Sequence, residues 1–295
     1  MAGRLGVWVL AVLLAAAAGC GGGEGVPNGR LSLYVTDAPV DEAARVSVAF
    51  AAVTLRSEDG GEARWELGAV PMEVDLLELR SGERKALLLD EEVPPGRYEG
   101  VRFEFAEGSF VEVDGARLPL EVGEEEAGVL QVAQPVVVPP GGQASYTVEF
   151  GLREALRAAA SGGRARREGG GGSYRLVPRL RLVDDRAAGS LAGALVDVDP
   201  GTCPSPAVYL FEGRDASPGD LGSDDPRRPA PTATADVVLD EPFHVYRFGF
   251  LAPGEYTVAL TCHARDDAPE TADPLPFQKS STVRVEPRSE TWIDF

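Results

Sequence analysis

From residue 30 onwards, short runs of alternating apolar and polar residues are separated by turn residues, and this pattern restricts the fold more than any other feature. Arg30–Thr36 alternates strictly, which is typical of a half-buried strand. Asp114-Gly115, between two further runs, is a strong hairpin signal. The chain contains 35 Gly and 23 Pro, and only Leu152–Ala160 has a helical pattern. These features predict an all-β protein of two antiparallel β-sandwich domains, Ig-like or prealbumin-like in architecture.

Departures from the alternating pattern predict a bulge, an edge strand and a long loop. In Arg45–Leu55 the parity of the apolar residues changes at Ala51-Ala52, which indicates a β-bulge. Tyr174–Val183 has strand character, although Pro178 restricts it to an edge or a bulge. Gly213–Thr234 is rich in Pro, Asp, Gly and Ser, and we expect a long exposed loop there.

The N-terminal segment has the features of an export signal. Met1–Arg4 is short and positively charged, and Leu5–Ala18 is a 14-residue run that is apolar except for Gly6. As a helix this run would span about 21 Å, which is less than the ~30 Å hydrocarbon core of a bilayer. The sequence therefore predicts a signal peptide over residues 1–19.

Ala17-Ala18-Gly19-Cys20, at the end of this run, resembles the lipobox of bacterial lipoproteins, although Ala17 stands where Leu is usual. The resemblance implies cleavage before Cys20 and lipidation of its thiol, which would anchor the chain in a membrane. The alternative is ordinary secretory cleavage that leaves Cys20 free. Residues 20–28 are predicted to form a flexible Gly-rich tether. By the same resemblance, Gly21 instead of Asp favours the outer membrane if the host is Gram-negative.

Charge excludes one class of partner. The formal net charge is −19, and removal of residues 1–19 takes away only Arg4, so the mature chain carries 27 − 47 = −20. Such a charge repels nucleic-acid phosphates, and no basic stripe opposes it. We therefore expect no nucleic-acid partner.

The first module, residues 29–186, resembles a bacterial family known as domain of unknown function 4382. The resemblance rests on the opening GRLSLYVTDAPVDEAARVSV, on VDLLEL, on VPPGRYEGVRFEF and on the closing FGLREAL and YRLVPRLRLV. It implies an envelope-associated β-domain and brings neither an activity nor functional residues with it.

The second module, residues 189–295, resembles the carboxypeptidase regulatory-like and starch-binding-like sandwich family. The shared motifs are the glycine-spaced opening at Gly189–Leu195, the segment Phe248–Val258, and the ending at Val283–Phe295. In that family the Tyr of the Pro-Gly-x-Tyr turn packs inward, which corresponds here to Tyr256. The resemblance implies a fold and leaves the ligand open.

Cys203 and Cys262 both lie in the second module. Since lipidation would consume the thiol of Cys20, an even pair remains. In an oxidising compartment we expect these two cysteines to form a disulfide, the alternative being two free thiols.

The sequence offers no convincing catalytic centre. Only two histidines exist, His244 and His263, and the first module contains neither His nor Cys. No zinc or EF-hand spacing is present, so we predict no metal, no cofactor and no enzyme activity. A glycoside hydrolase that uses a pair of carboxylates is an open alternative. It is a weak one, because pairs of carboxylates are expected by chance among 47 acidic residues. The acids of the long loop, Asp215, Asp220, Asp224 and Asp225, are expected to be solvated, and a calcium site formed by such an oxygen-rich loop is the alternative.

Aromatic residues cluster in the second module, where Tyr209 and Tyr246 are candidates for a sugar-stacking platform. The alternative is that alternation places most of these rings in the sandwich core. The predicted function is that of a membrane-anchored extracytoplasmic lipoprotein, a non-catalytic binding or structural module of the cell envelope. Its expected partners are the lipid anchor and either a glycan or an envelope protein, and carbohydrate binding through the second module is the alternative function.

Overall fold

A computed structural model describes residues 26–37, 43–79, 82–123, 128–159, 172–177, 180–196, 198, 202–240, 243–272 and 274–295. The predicted signal peptide, Cys20, most of the tether and Pro178 lie outside the described residues. No helix in the described ranges is both long enough and apolar enough to span a membrane.

The described part of the first module is nearly all β-structure, with one turn of α-helix, α1 (Leu152–Ala155), and one 3-10 turn (Leu76–Glu78). Its strands are β1 (Gly29–Thr36), β2 (Arg45–Ser57), β3 (Glu62–Glu66), β4 (Met72–Asp75), β5 (Lys85–Val93), β6 (Gly96–Phe105), β7 (Phe110–Val113), β8 (Ala116–Val122), β9 (Val129–Val132), β10 (Val136–Val138), β11 (Gln143–Glu149), β12 (Leu156–Ala158), β13 (Tyr174–Leu176) and β14 (Arg181–Asp184).

Two sheets enclose the core of the first module. One sheet has the order β14-β11-β1-β5, and the other follows β10-β6-β2-β7-β8-β13-β12 with β3, β4 and β9 paired at its side. A single apolar cluster draws on both sheets, with Leu33, Phe50, Phe103 and Phe150 fully buried in it. This arrangement is the predicted sandwich, with the apolar face of each sheet turned inward.

The strands of the second module are β15 (Gly189–Leu195), β16 (Ala207–Glu212), β17 (Ala233–Asp236), β18 (Val238–Asp240), β19 (Phe243–Leu251), β20 (Gly254–Thr261), β21 (Phe277–Val285) and β22 (Glu290–Trp292). A 3-10 turn (Ala264–Asp266) follows β20. The strands form a smaller sandwich of two four-stranded sheets, ordered β18-β19-β15-β22 and β17-β16-β20-β21.

Most neighbouring strands are antiparallel, as predicted, but three pairs are parallel: β1 with β11, β8 with β13, and β15 with β22. Each parallel pair joins strands that are far apart in the sequence, because a parallel pair needs a long crossover and a tight hairpin cannot supply one. In both modules such a pair brings an early strand beside a late one, which local alternation could not predict.

Two turn and register predictions are confirmed. Strands β7 and β8 form a hairpin around Asp114-Gly115, and both residues have positive φ angles, 51° and 77°. The pairing of β2 with β6 shifts register between Phe50 and Ala52, where the change of parity predicts a bulge.

The predicted helix Leu152–Ala160 is wrong beyond its first turn. The chain leaves α1 after Ala155 and becomes strand β12, which pairs with β13. All four residues of α1 are buried, so the segment has no solvated face of the kind a surface helix needs. Strand pairing therefore overrides the local helix propensity, since the hydrogen bonds of a single helical turn do not offset the free-energy cost of helix nucleation.

Two further predictions need correction. Tyr174–Val183 is not one strand, because β13 and β14 belong to different sheets on either side of residues 178–179. The segment Gly213–Thr234 is not wholly exposed: Asp220 and Leu221 are buried, and Leu221 packs in a satellite core with Tyr209, Phe211 and Leu275. The loop folds back over the outer face of its own sheet and covers it.

Candidate binding site

The two tyrosines predicted as a sugar-stacking platform are core residues, and this prediction is wrong. Tyr209 and Tyr246 are 0% and 1% exposed. The hydroxyl of Tyr209 donates to Asp267 (2.8 Å), and that of Tyr246 donates to the carbonyl of Ile293 (2.6 Å). Burial raises the pKa of both hydroxyls. The folded-back loop covers Tyr209, so its ring cannot meet a ligand.

The structure instead shows an open polar cleft between the two modules, with a volume of about 380 Å³. This volume lies within the range of small-ligand pockets, about 300–1,000 Å³. Its walls come from both modules and are lined by Gly82, Arg84, Asp185, Ala188, Gly189, Ser190, Arg247, Gly249, Phe250, Arg288, Ser289 and Glu290.

Arg84 forms the wall from the first module. Its guanidinium lies 3.7 Å from the ring centre of Tyr34 and donates to Asp185 (2.6 Å) and to Thr147 (3.1 Å). Asp185 also accepts from the hydroxyls of Ser145 and Thr147, at 2.5 and 2.7 Å. Stacking and charge-assisted hydrogen bonds together fix the direction of this arginine.

Phe250 reaches the cleft from the second module through a β-bulge. Gly249 and Phe250 lie opposite the single residue Ser190, and the register of β15 with β19 shifts there. Phe250 has a φ of 47°, which is rare for a bulky side chain. Its ring centre lies 5.2 Å from the guanidinium of Arg84, so that arginine lies between two rings from different modules.

Arg247, Arg288 and Glu290 complete the second wall. Arg247 on β19 pairs with Glu290 on β22 (2.8 Å), across the intervening strand β15. Arg288 lies in the turn before β22, has a φ of 54°, and donates its backbone N–H to the carbonyl of Ala188 (2.9 Å). Among the described residues its guanidinium has no carboxylate partner.

Strained backbone conformations and glycine residues both occur at this cleft. Phe250 and Arg288 are two of the five described non-glycine residues with positive φ, and strain of this kind collects at functional sites. A Cβ atom on Gly249 would lie 3.1 Å from the Cα atom of Gly82 across the cleft. Side chains at these two glycines would therefore close the space between the modules.

Buried polar contacts join the modules on either side of the cleft. Arg153 of α1 forms an ion pair with Asp236 and donates to the carbonyl of Ala264 (3.3 Å). Arg181 pairs with Glu149 and donates to the carbonyl of Phe250 (2.7 Å). The side chain of Arg153 is only 5% exposed. These contacts hold the two walls in one arrangement.

The cleft has the size of a small-ligand site, and most of its charged side chains are paired with one another. Its charged side chains are three arginines and two carboxylates, which gives 3 − 2 = +1 within a chain of strongly negative charge. Both carboxylates are engaged by arginines, which favours a structural role over proton transfer. Within the described ranges no group of His, Cys, Asp and Glu side chains is arranged to hold a metal ion.

The sequence did not predict this cleft. Its residues come from four distant segments, around 82–84, 185–190, 247–250 and 288–290. The last three overlap the motifs of the second module, which imply a fold and leave the ligand open. One local signal exists in β19. Alternation predicts that Phe248 and Phe250 lie on the same face of the strand, whereas the bulge between them interrupts that alternation. The predicted disulfide, by contrast, is present: Cys203 and Cys262 are bonded, with Cα atoms 4.7 Å apart.

Fold and cleft together define the class: an all-β protein of two sandwiches with a basic cleft between them. The chain belongs to the family described as Domain of unknown function (DUF4382), whose model matches residues 28–178, just over half of the chain. No curated protein matches the sequence.

Three solved structures resemble the chain loosely. A candidate adhesin from Bacteroides ovatus is 9% identical, with 91% of this chain and 93% of that chain covered and a TM-score of 0.23. The minor pilin of Streptococcus agalactiae is 10% identical, with coverages of 90% and 94% and a TM-score of 0.20. A candidate cell adhesion protein from Bacteroides fragilis is 9% identical, with coverages of 90% and 92% and a TM-score of 0.20. Likeness at this level adds nothing to the assignment of a function.

Proposed function

We propose that this protein is a non-catalytic binding module of the bacterial cell envelope, anchored outside the cytoplasm by lipid on Cys20. The observation that carries the proposal is the cleft between the modules, whose carboxylates are paired with arginines and whose lining includes no His, Cys or metal cluster. The disulfide Cys203–Cys262 supports an oxidising compartment. The lipobox-like segment before Cys20 supports membrane attachment.

Anchoring is tested by expressing the full chain in a bacterial host supplied with an alkyne analogue of palmitate. The wild-type chain should incorporate the label and fractionate with membranes. Cys20→Ser should lose both label and membrane attachment while the folded domains stay intact, as judged by protease resistance. An unlabelled wild-type chain released into the medium would contradict the anchor.

The non-catalytic role is tested on the purified mature chain. Incubation with a panel of peptides, esters and oligosaccharides should give no turnover above a heat-treated control. Hydrolysis of an oligosaccharide that is lost in Asp185→Asn or Glu290→Gln would overturn the proposal in favour of a carboxylate hydrolase, whose two acids must flank the scissile bond.

Carbohydrate binding is the second candidate function, and the lining of the cleft favours it. Hydroxyl groups of a sugar can donate to the carboxylate of Glu290, and the ring of Phe250 offers an apolar surface. Two exposed aromatic residues, Trp292 and Phe243, lie outside this lining, at 57% and 54% exposure. Oligosaccharide titrations of Phe250→Ala and Trp292→Ala show which surface binds. Weaker binding in Phe250→Ala alone indicates the cleft, and weaker binding in Trp292→Ala alone indicates the exposed aromatic residues outside it.

A further inference from the structure

We propose that the cleft between the modules binds a short saccharide that carries a carboxylate group, with Arg288 as the residue that receives the carboxylate. This inference rests on the proposed binding role and names its ligand class. It is carried by one unpaired guanidinium, by the net charge of the lining, and by the hydroxyl and carboxylate groups in that lining.

Arg288 is the cation available to a ligand. Arg84 is engaged by Asp185 and Arg247 by Glu290, whereas the guanidinium of Arg288 has no such partner in the described part of the chain. A guanidinium stays charged at any physiological pH and can donate two parallel hydrogen bonds to one carboxylate. The backbone hydrogen bond to Ala188 fixes the main chain of Arg288 beside the cleft, and its side chain is exposed to solvent.

The charge of the cleft stands out against the rest of the molecule. The lining carries +1, while the mature chain has 27 basic and 47 acidic residues, a balance of −20. An acidic ligand would be repelled from most of the surface, so attraction at the cleft also selects where such a ligand binds.

The other lining groups fit a sugar better than a peptide. The exposed carboxylate of Glu290 can accept hydrogen bonds from sugar hydroxyls, and Ser190 and Ser289 add hydroxyl groups to the lining. Phe250 is the only large apolar side chain in the lining, so an apolar peptide side chain would find little to bury against.

The test uses isothermal titration of the purified mature chain with digalacturonate and diglucuronate. The matched neutral probe is the methyl ester of each disaccharide, and sodium sulfate is the probe for an anion alone. We expect at least one acidic disaccharide to bind, its ester to bind at least about tenfold more weakly, and high salt to weaken the binding, since exposed charges are screened.

Arg288→Ala should weaken the binding of the acidic disaccharide by about tenfold or more, as expected when a charged hydrogen-bonding partner is lost. Arg227→Ala is the matched control, because Arg227 is an exposed arginine of the second module outside the cleft lining, and its loss makes the same change in charge. The control variant should bind like wild type. If Arg288→Ala does not fold, mapping of amide chemical shifts in the wild-type chain gives the same answer, with changes expected at the cleft residues.

Four results would overturn the inference: no binding of either acid, equal binding of acid and ester, sulfate as tight as the disaccharide, or binding that depends on Trp292 and not on Arg288. None of these bears on the anchoring of the chain, which the labelling of Cys20 measures separately. Failure of the inference and failure of the proposed function are therefore distinguishable.

Discussion

Asp267 is a buried carboxylate on which the second module depends for its satellite core. It accepts the hydroxyl proton of Tyr209 and the backbone N–H of Leu221, so it ties the folded-back loop to the sheet. Desolvation raises the pKa of Asp267 in spite of these two donors. The folded chain therefore holds the proton of this residue more tightly than the unfolded chain does.

The raised pKa of Asp267 predicts a specific pH dependence. Its stabilising contribution should be fully present below the unfolded pKa, about 3.9, and should be lost as pH rises through the raised folded pKa, at about 1.4 kcal/mol per pKa unit. Asp267→Asn should remove this slope. Urea unfolding of both chains between pH 4 and 7 measures it, and a constant difference between them across that range would contradict the prediction.

Gly193 shows how closely two backbones approach in the second module. A Cβ atom at this position would lie 1.7 Å from the carbonyl oxygen of Ile293 and 2.8 Å from the ring of Tyr246. We expect Gly193→Ala to displace the C-terminal strand and lower the free energy of unfolding by about 3 kcal/mol. Thermal unfolding measures this loss.

Gly61→Ala serves as the control for that variant. Its nearest neighbour would be 3.9 Å away and its φ is not positive, so the change should stay within about 0.5 kcal/mol. Equal stability of the two alanine variants would show that the close approach at Gly193 relaxes without cost.

At the scale of single elements, the two modules use the same turn to begin a long strand. In each, a tyrosine follows Pro-Gly and donates its hydroxyl to a carbonyl four residues earlier: Tyr98 to Pro94 (2.6 Å) and Tyr256 to Ala252 (2.8 Å). Both rings are buried, which agrees with the inward packing that the family resemblance implies for Tyr256. The hydrogen bond fixes the turn against the strand it starts.

Removal of either tyrosine hydroxyl tests whether this hydrogen bond stabilises the turn. We expect Tyr98→Phe and Tyr256→Phe each to lower the free energy of unfolding by about 1 kcal/mol, because the partly buried hydrogen bond between the tyrosine and the turn is lost. Tyr34→Phe is the matched control, since no hydrogen bond of its hydroxyl is found among the described residues. Denaturant unfolding measures the stability of the three variants. An equal loss in all three would argue against a stabilising role of the tyrosine–turn hydrogen bond.

The strands and turns were largely predictable because their signals are local. Alternation, Asp114-Gly115 and the change of parity near Ala51 each depend on residues a few positions apart. The helix at Leu152 failed for the opposite reason, since its fate depends on pairing with β13, a strand separated from it by residues 159–173. Local propensity is too weak to oppose such pairing.

At the scale of the whole molecule, Arg153 is a residue of the first module that is buried against the second. Breaking a buried ion pair by removing one partner costs about 3–5 kcal/mol, because the other charge is left uncompensated. We expect Arg153→Ala to release the modules from one another, which should split thermal unfolding into two transitions in calorimetry and enlarge the radius of gyration in solution scattering.

The control for Arg153 is an exposed arginine of the same module. Arg175 pairs with Glu121 at the surface, where both side chains are half exposed, so Arg175→Ala should change stability by at most about 1 kcal/mol. A single cooperative transition in Arg153→Ala, at the wild-type temperature, would show that the modules are held by other contacts.

The sequence alone determined the class of secondary structure, most turns and the partners of the disulfide, because these depend on neighbouring residues or on a count of cysteines. Only the tertiary structure decided that Tyr209 and Tyr246 are buried, that the acidic loop folds back, and that Arg84, Arg247 and Arg288 face one cleft. Alternation states which side of a strand a residue occupies, but it does not state what lies on that side. That is set by how loops and sheets pack over long sequence distances.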